Sequence, residues 1–191
     1  MTDDLPAPPA ADGLPRCPWA DIDPLMRAYH DDEWGREVRD EAGLFERLCL
    51  EIFQAGLSWR TVLRKRDAFR AAFAGFSPDA VAAFTDADVD RLMGDAGIIR
   101  NRRKIIAAIT NARATVALRA DGGLGDLLWS YHNPAYAPAT ADAVPSSTPA
   151  SVALAKDLKR RGFAFVGPTN VFATMEATGI VNPHLVSCHR R

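Results

Sequence analysis

Apolar residues in this chain recur at the three- to four-residue spacing of an α-helix, whereas the alternating pattern of a β-strand is almost absent. The segment between Asp40 and Gly56 shows this best, because an Asp stands before the first apolar turn and a Gly follows the last one. Asp satisfies free N–H groups at a helix start, and Gly allows the left-handed backbone that often ends a helix. The single strand candidate, residues 163–166, is too short to build a sheet. We therefore predict an all-α fold.

Further helix starts are marked by a capping side chain followed by proline, at Asp23-Pro24, Ser77-Pro78 and Thr148-Pro149. Ser58 is predicted to begin a helix that runs to Phe73. A longer helix is predicted to begin at Ile98 and to end near Leu118.

The length of 191 residues, with 48% hydrophobic and 25% charged, suits one domain with a sizeable core. Residues 1–15 are rich in Pro, Ala and Asp, so we predict a disordered tail before a single folded domain over residues 16–191. No apolar stretch approaches the ~20 residues of a membrane span, and no secretory signal is visible. Three cysteines do not suggest a disulfide scaffold, and no heptad pattern suggests oligomerisation. The expectation is a cytoplasmic monomer without a membrane partner.

The net charge of −1 argues against a strongly basic nucleic-acid binder. Positive charge is nevertheless clustered in residues 60–66, 100–104, 156–161 and 190–191, so one face could be basic while the total stays near zero. Ordinary solvated helix faces explain the same clusters, and composition does not separate the two interpretations.

Two cysteines and two histidines lie near opposite ends of the predicted domain: Cys17 and His30 near its start, His184 and Cys188 at its end. Two thiolates and two imidazoles make a complete tetrahedral zinc site. The four-residue spacing of His184 and Cys188 places both side chains on one face if that stretch is helical. The alternative is four unrelated residues, since a buried free cysteine is often a small apolar filler. Cys49, inside an apolar helix face, is interpreted in that way.

The segment from Asp95 to Ile105 contains a short turn with Gly97 at its centre, followed by several basic residues. A helix beginning at Ile98 offers free backbone N–H groups beside a glycine that permits close approach of another backbone. Such a helix-hairpin-helix holds a DNA phosphate without reading sequence, and Arg100 adds positive charge. An ordinary helix turn with a solvated basic face is the alternative.

A third group of residues surrounds a glutamate at the end of an apolar helix. Glu51 is followed by a small-residue turn, by Leu57, and by Trp59, while Tyr29 and Trp34 add aromatic surface. A purine extruded from DNA needs aromatic faces to stack on and a polar group for its edge. In the alternative interpretation the tryptophans belong to the core and Glu51 to the surface.

Together these features resemble the bacterial DNA-3-methyladenine glycosylase I family, a branch of the helix-hairpin-helix superfamily. The resemblance extends from Cys17 to Cys188 and rests on separated segments that occur in order. The most specific segments are Cys17-Pro18-Trp19, Ala28-Tyr29-His30-Asp31-Asp32-Glu33-Trp34-Gly35, Gln54-Ala55-Gly56-Leu57-Ser58-Trp59, Asp95-Ala96-Gly97-Ile98-Ile99-Arg100 and Lys159-Arg160-Arg161-Gly162-Phe163-Ala164-Phe165-Val166-Gly167.

The resemblance implies a helical glycosylase domain with two lobes, a central hairpin lobe and one formed by both termini. It implies a structural zinc ion that joins the N- and C-terminal segments through the set Cys17, His30, His184 and Cys188. It implies that Glu51 is the catalytic and base-binding carboxylate, with the aromatic residues Tyr29, Trp59 and Trp34 around the base. DNA contact is expected from Leu57, Gly97, Ile98 and Arg100. One departure is Met26, where the family often carries a tyrosine, so the pocket wall there should be less polar.

The implied partners are alkylated double-stranded DNA and the base 3-methyladenine, which a monofunctional enzyme would release by hydrolysis of the N-glycosidic bond. Methylation at N3 makes the adenine cationic and therefore a good leaving group, and the sequence identifies no general base. A lyase would need a lysine nucleophile, and an iron–sulfur relative would need four cysteines. The alternative from another class is a zinc-stabilised helical DNA-binding module without catalysis. Such a module would keep Gly97 but gain nothing from Glu51 and Trp59.

Overall fold

A computed structural model of the chain describes residues 12–191. The predicted tail therefore lies mostly outside the described residues. Within them there are ten α-helices and short 3-10 turns, and the all-α prediction is confirmed. The helices are α1 (Pro24–Asp32), α2 (Glu41–Gln54), α3 (Trp59–Arg64), α4 (Arg66–Ala72), α5 (Pro78–Ala82), α6 (Asp86–Gly94), α7 (Arg102–Leu118), α8 (Gly123–Trp129), α9 (Pro149–Arg160) and α10 (Pro168–Ala177). Residues 12–191 contain no β-strand, and the extended contact recorded is a single bridge between Asn133 and Val181.

The predicted capping residues do begin helices. The side chain of Asp23 accepts a hydrogen bond from the backbone N–H of Met26 at the start of α1, and Asp40 accepts one from Gly43 at the start of α2. Thr148 shares a reciprocal cap with Ser151 at the start of α9. These contacts satisfy N–H groups that the helix itself leaves free.

Two predicted helix bounds are wrong. The helix predicted from Ser58 to Phe73 is two helices, α3 and α4, because the backbone at Lys65 departs from helical geometry. The helix predicted from Ile98 begins four residues later, because the side chain of Asn101 accepts a hydrogen bond from the N–H of Lys104 and caps α7 at Arg102. The connection between α6 and α7 is therefore a loop over residues 95–101 rather than a tight turn.

The main hydrophobic core surrounds α2, which packs against α7, α8 and α10. Its largest members are fully buried phenylalanines, Phe45, Phe53, Phe69, Phe73, Phe76 and Phe172. Because α2 is buried along its length, its C-terminal half carries Glu51 into the interior rather than to the surface.

Helix α1 lies beside this core and is held there by ion pairs. Asp23 at its start pairs with Arg60 of α3 at 2.5 Å. Glu33 at its end pairs with Arg47 of α2 at 2.9 Å and with Arg66 of α4 at 2.6 Å. These contacts fix α1 against the middle of α2 and the starts of α3 and α4. Over residues 12–191, no helix is long and apolar enough to span a membrane.

Candidate functional site

A cavity of about 210 Å³ opens between α1, the C-terminal half of α2, the start of α3 and α10. Helices α1, α2 and α10 each contribute two lining residues that are three positions apart and therefore lie on the same side of the helix. It is lined by Trp19, Met26, Tyr29, Trp34, Glu51, Gln54, Trp59, Ala173 and Glu176. The four residues predicted for the base pocket, Tyr29, Trp34, Glu51 and Trp59, are thus brought together.

Aromatic rings form most of the cavity wall. The rings of Tyr29 and Trp59 lie with centroids 5.1 Å apart. Trp19 and Trp34 meet edge to face at 4.7 Å. Tyr29 is buried, and its hydroxyl has no hydrogen-bond partner among residues 12–191. Met26 also lines the cavity, so the wall at this position carries a thioether instead of a hydroxyl.

Two carboxyl groups line this apolar cavity. Glu51 is 5% exposed, and burial, with a smaller contribution from the charge of Glu176, raises its pKa to about 8, although Arg47 acts to lower it. Burial also raises the pKa of Glu176 to about 8. Burial disfavours a charged carboxylate that has no compensating partner. A cation in the cavity would stabilise the ionised forms of Glu51 and Glu176, and these carboxylates would in turn attract the cation.

Four residues of this cavity were not predicted from the sequence, namely Trp19, Gln54, Ala173 and Glu176. The sequence does carry a signal for Glu176, since it is the one charged residue of α10. Trp19 and Gln54 carry no comparable signal, because a tryptophan near a chain end and a glutamine at a helix end are common without a ligand.

The cysteine and histidine side chains predicted to bind metal form a second, fully buried cluster. His30 Nε2 lies 3.2 Å from His184 Nδ1, and Cys188 Sγ lies 3.5 Å from each of these nitrogens. Cys17 Sγ lies 4.0 Å from His184 Nδ1. Zinc bonds of about 2.0–2.3 Å in a tetrahedron place neighbouring donor atoms roughly 3.3–3.8 Å apart, so this donor set fits a tetrahedral metal ion.

Outer contacts orient the two imidazoles. His30 Nδ1 lies 2.7 Å from Asp31 Oδ1, and His184 Nε2 lies 3.0 Å from the carbonyl oxygen of Trp34. Each contact places the ring proton on the outer nitrogen and leaves the inner nitrogen free as a ligand. Burial lowers the pKa of His184 to about 4 and also lowers that of His30, so both rings stay neutral, as metal binding requires.

Helical geometry does not bring His184 and Cys188 together. The segment that contains them is a turn, in which the N–H of Cys188 donates to the carbonyl of Leu185. The four-residue spacing was expected to bring these side chains together in a helix, and this stretch is not helical. The two side chains are nevertheless in contact.

The hairpin loop differs in detail from the prediction. The N–H of Gly97 donates to Asp95 Oδ1 at 2.7 Å, so it is not free for a phosphate. Ile98 is buried in the core, whereas Arg100 is exposed and has no ion pair among the described residues. The N–H groups without partners in this region belong to Ala96, Ile99, Arg100, Arg102 and Arg103. Lys65 fixes the loop by donating to the carbonyls of residues 96 and 97.

Leu57 lies on the turn that follows α2, and 44% of its surface is exposed. This turn is tied to the hairpin by Lys104 of α7, whose Nζ donates to the carbonyls of Phe53 and Ala55 at 2.9 and 2.6 Å. Leu57, the hairpin loop and the mouth of the aromatic cavity are therefore held in one rigid arrangement.

Comparison with known proteins gives a consistent result. Residues 19–191 match the family model described as methyladenine glycosylase. DNA-3-methyladenine glycosylase 1 of Escherichia coli (strain K12) is 51% identical over 179 residues, which cover 92% of this chain and 96% of that protein. A crystal structure of 3-methyladenine DNA glycosylase I is 50% identical and superposes with a TM-score of 0.88, over 92% of this chain and 98% of that one. A tyrosine-to-phenylalanine variant of such an enzyme in complex with 3-methyladenine is 37% identical with a TM-score of 0.87, over 92% of this chain and 96% of that one.

The fold and the site define a helix-hairpin-helix protein with an aromatic cavity that carries two carboxyl groups, beside a buried cysteine–histidine cluster that could hold a metal ion. More particularly, the chain belongs to the methyladenine glycosylase family.

Proposed function

We propose that this protein is a base-excision repair enzyme that hydrolyses the N-glycosidic bond of 3-methyladenine in alkylated double-stranded DNA. The observation that carries this proposal is the aromatic cavity with two carboxyl groups at its wall, those of the buried Glu51 and the partly buried Glu176. Family membership supports the same reaction. The rival interpretation, a DNA-binding module without catalysis, gives no reason to bury two acids in an aromatic cavity.

The cavity selects a cationic base over a neutral one. A base that stacks against the ring of Tyr29 or Trp59 gains ~1–3 kcal/mol. A cationic ring gains a further ~0.5–2 kcal/mol from the faces of these rings. Glu51 can accept a hydrogen bond from the exocyclic amine, and its negative charge is stabilised only when a cation lies against it. Unmodified adenine has no such charge and gains less from each contact.

The buried indole N–H of Trp59 has no hydrogen-bond partner among the described residues. The carboxyl groups of Glu51 and Glu176 likewise make no hydrogen bond there. Buried polar groups are rarely left unpaired, and those that are often mark a ligand site. A purine edge carries both donors and acceptors and could pair with these groups.

In the reaction, the bond between C1′ of the deoxyribose and N9 of the base breaks, and its electron pair neutralises the cationic ring. Water then adds to C1′ and loses a proton, which leaves an abasic sugar and free 3-methyladenine. The protein holds the base, its carboxylate charge stabilises the positive charge that develops on the sugar, and Leu57 fills the gap left in the base stack. Because alkylation already weakens the bond, a smaller barrier remains for the protein to lower.

DNA contact is assigned to the hairpin loop with Gly97, Ile98 and Arg100. Exposed N–H groups at the start of α7 suit a phosphate, since a helix N-terminus carries partial positive charge. In this arrangement Arg100 adds charge, whereas Gly97 and Ile98 act through the shape and packing of the loop.

The metal of the buried cluster is proposed to be zinc, held by Cys17, His30, His184 and Cys188. When bound there, zinc supplies structural cross-linking, because all its coordination positions are filled by protein. Burial raises the pKa of Cys17 to about 11, and a divalent cation overcomes this by stabilising the thiolate. A monomer located in the cytoplasm stays a prediction from the sequence.

The decisive experiment is incubation of the protein with N-methylated DNA, followed by chromatography of the released bases. We expect 3-methyladenine among the products and an abasic site in the DNA. Tight binding to the methylated duplex without release of any base would support the non-catalytic module instead.

A further inference from the structure

Phe165 lies in a conformation that is unfavourable for its residue type. Its φ is +58°, in the left-handed region that glycine adopts easily, and 39% of its surface is exposed. Among the other described non-glycine residues only Ala74 and Phe76 have a positive φ, and Phe76 is buried. A bulky residue at such an angle is strained, and strain of this kind persists only where the surrounding structure enforces it.

Two asparagines enforce this conformation. Asn111 of α7 pairs with the backbone of the preceding residue, Ala164, through its amide nitrogen at 3.1 Å and its amide oxygen at 2.7 Å. Asn170 of α10 donates to the carbonyl of Phe165 at 3.0 Å. Asn111 is fully buried, and its side-chain amide fixes the backbone of the loop that carries Phe165. Core packing alone does not explain a ring that is held toward solvent.

The ring stands beside the hairpin. The guanidinium carbon of Arg103 lies 5.7 Å from the ring centroid of Phe165. Arg103 is exposed, begins α7 just after the hairpin loop, and forms no ion pair among residues 12–191, as is also true of Arg100. Lys104, the next residue, reaches the turn that carries Leu57. The ring of Phe165 and the turn that carries Leu57 therefore both contact the cationic start of α7, the ring through Arg103 and the turn through Lys104.

We propose that Phe165 is a second apolar contact with duplex DNA, in addition to Leu57. This inference rests on the proposed function. An exposed aromatic ring beside unpaired guanidinium groups suits a sugar or an unstacked base, while Arg103 meets the adjacent phosphate. The ring adds no base specificity, because every base and sugar presents an apolar surface to it.

The test separates the ring from the strain. Phe165→Gly removes both, whereas Phe165→Ala removes the ring and keeps a Cβ at a positive φ, so the glycine variant should melt at the higher temperature of the two. In both variants the affinity for duplex DNA should fall on the order of tenfold. The decrease should be the same in the two variants, because both lack the ring. Phe165→Trp should retain wild-type affinity. Val186→Ala, which shortens another exposed apolar side chain, is the matched control and should change nothing.

Duplex affinity is measured by fluorescence anisotropy, together with binding of free 3-methyladenine, which should be the same in every variant. If Phe165→Gly and Phe165→Ala bind DNA as tightly as the wild type, the inference is wrong. Wild-type protein that releases no methylated base would instead overturn the proposed function, whatever these variants do to DNA affinity.

Discussion

Glu51 and Glu176 show, at the scale of single residues, a conflict between stability and binding. Each is an acid in an apolar cavity, where its charged form is destabilised by burial. A folded protein with hydrophobic residues of similar size at these positions should be more stable. Acids at these two positions are explained if a cationic ligand binds against them. The ligand then replaces the interactions with water that the carboxylates lose on burial.

Replacement of Glu51 tests this directly. Glu51→Gln keeps the shape and one acceptor but removes the charge, so it should weaken binding of 3-methyladenine and slow its excision. Glu51→Ala should be worse by ~1–3 kcal/mol, since the base edge is then left unpaired. Binding is followed by tryptophan fluorescence and excision under single-turnover conditions. Wild-type excision rates in the alanine variant would disprove the recognition mechanism, although not the family assignment.

The raised pKa of Glu176 predicts a specific dependence of stability on pH. The folded pKa, about 8, lies above the ordinary value of 4.5, so the folded state holds its proton longer than the unfolded chain does. The stabilising contribution of the neutral acid is complete below pH 4.5 and is lost as the pH rises through 8. Tm of Glu176→Gln should therefore rise relative to that of the wild type between about pH 6 and pH 9.

Comparison with the wild type at each pH removes the contribution of groups common to both proteins, including the histidines of the buried cysteine–histidine cluster. A constant difference in Tm across this range would mean that Glu176 is ionised normally in the folded protein.

At the scale of helices and loops, Gly97 determines how closely the hairpin approaches α4. A Cβ at this position would lie 3.0 Å from the Cβ of Ala68 and 2.9 Å from Asp95 Oδ1. Asp95 also holds the N–H of Gly97, so even a methyl group disturbs the contact that shapes the loop.

Gly97→Ala should therefore weaken binding to any duplex, damaged or not, by several-fold, because phosphate contacts contribute affinity without sequence readout. Binding of free 3-methyladenine should be unchanged. Gly94→Ala is the matched control, since a Cβ there meets open space. Both affinities are measured by titration at one salt concentration. Loss of free-base binding with normal DNA affinity would contradict the assignment of the hairpin.

The sequence predicted the helices whose start is decided locally, at Asp23, Asp40 and Thr148, because a side-chain cap is a short-range contact. It failed where tertiary contacts compete. A tight turn at Gly97 and a helix from Ile98 were expected, but Lys65, which lies between α3 and α4, holds the carbonyls of residues 96 and 97 in a longer loop.

Prediction of the cavity was incomplete for a similar reason. Residues close to one another along α1, α2 and α3 were predicted as one pocket, with the help of the family resemblance. Glu176 and Trp19 join that pocket from α10 and from the start of the folded chain. The residue pattern around Trp19 or around Glu176 does not predict these contacts, because they form only when distant parts of the chain fold together. The division of the domain into two lobes stays a prediction.

At the scale of the whole molecule, the buried cysteine–histidine cluster joins the two ends of the folded chain. Cys17 and His30 precede the main core, and His184 and Cys188 follow it. A second contact between the ends repeats this connection, since Asp31 accepts hydrogen bonds from Arg16 and His189. The ring of His184 in this cluster lies against Trp34, which forms part of the cavity wall, so the cluster supports that wall.

Removal of one metal ligand should therefore destabilise the protein far more than an equivalent change elsewhere. Cys188→Ser replaces a thiolate by a poor zinc ligand in a site where the metal can contribute on the order of 10 kcal/mol to folding. Cys49→Ser makes the same chemical change at a buried cysteine in the main core, remote from the cluster, and serves as the control. We expect Cys188→Ser to lose bound zinc and to melt at a much lower temperature than Cys49→Ser, which should keep its zinc. Metal content is measured by atomic emission and Tm by calorimetry. The excision rate per folded molecule should change little, because none of the four cluster residues lines the aromatic cavity. The loss of total activity should therefore follow the loss of folded protein. Zinc-free wild-type protein with the same Tm as Cys188→Ser would show that this cluster is not a metal site.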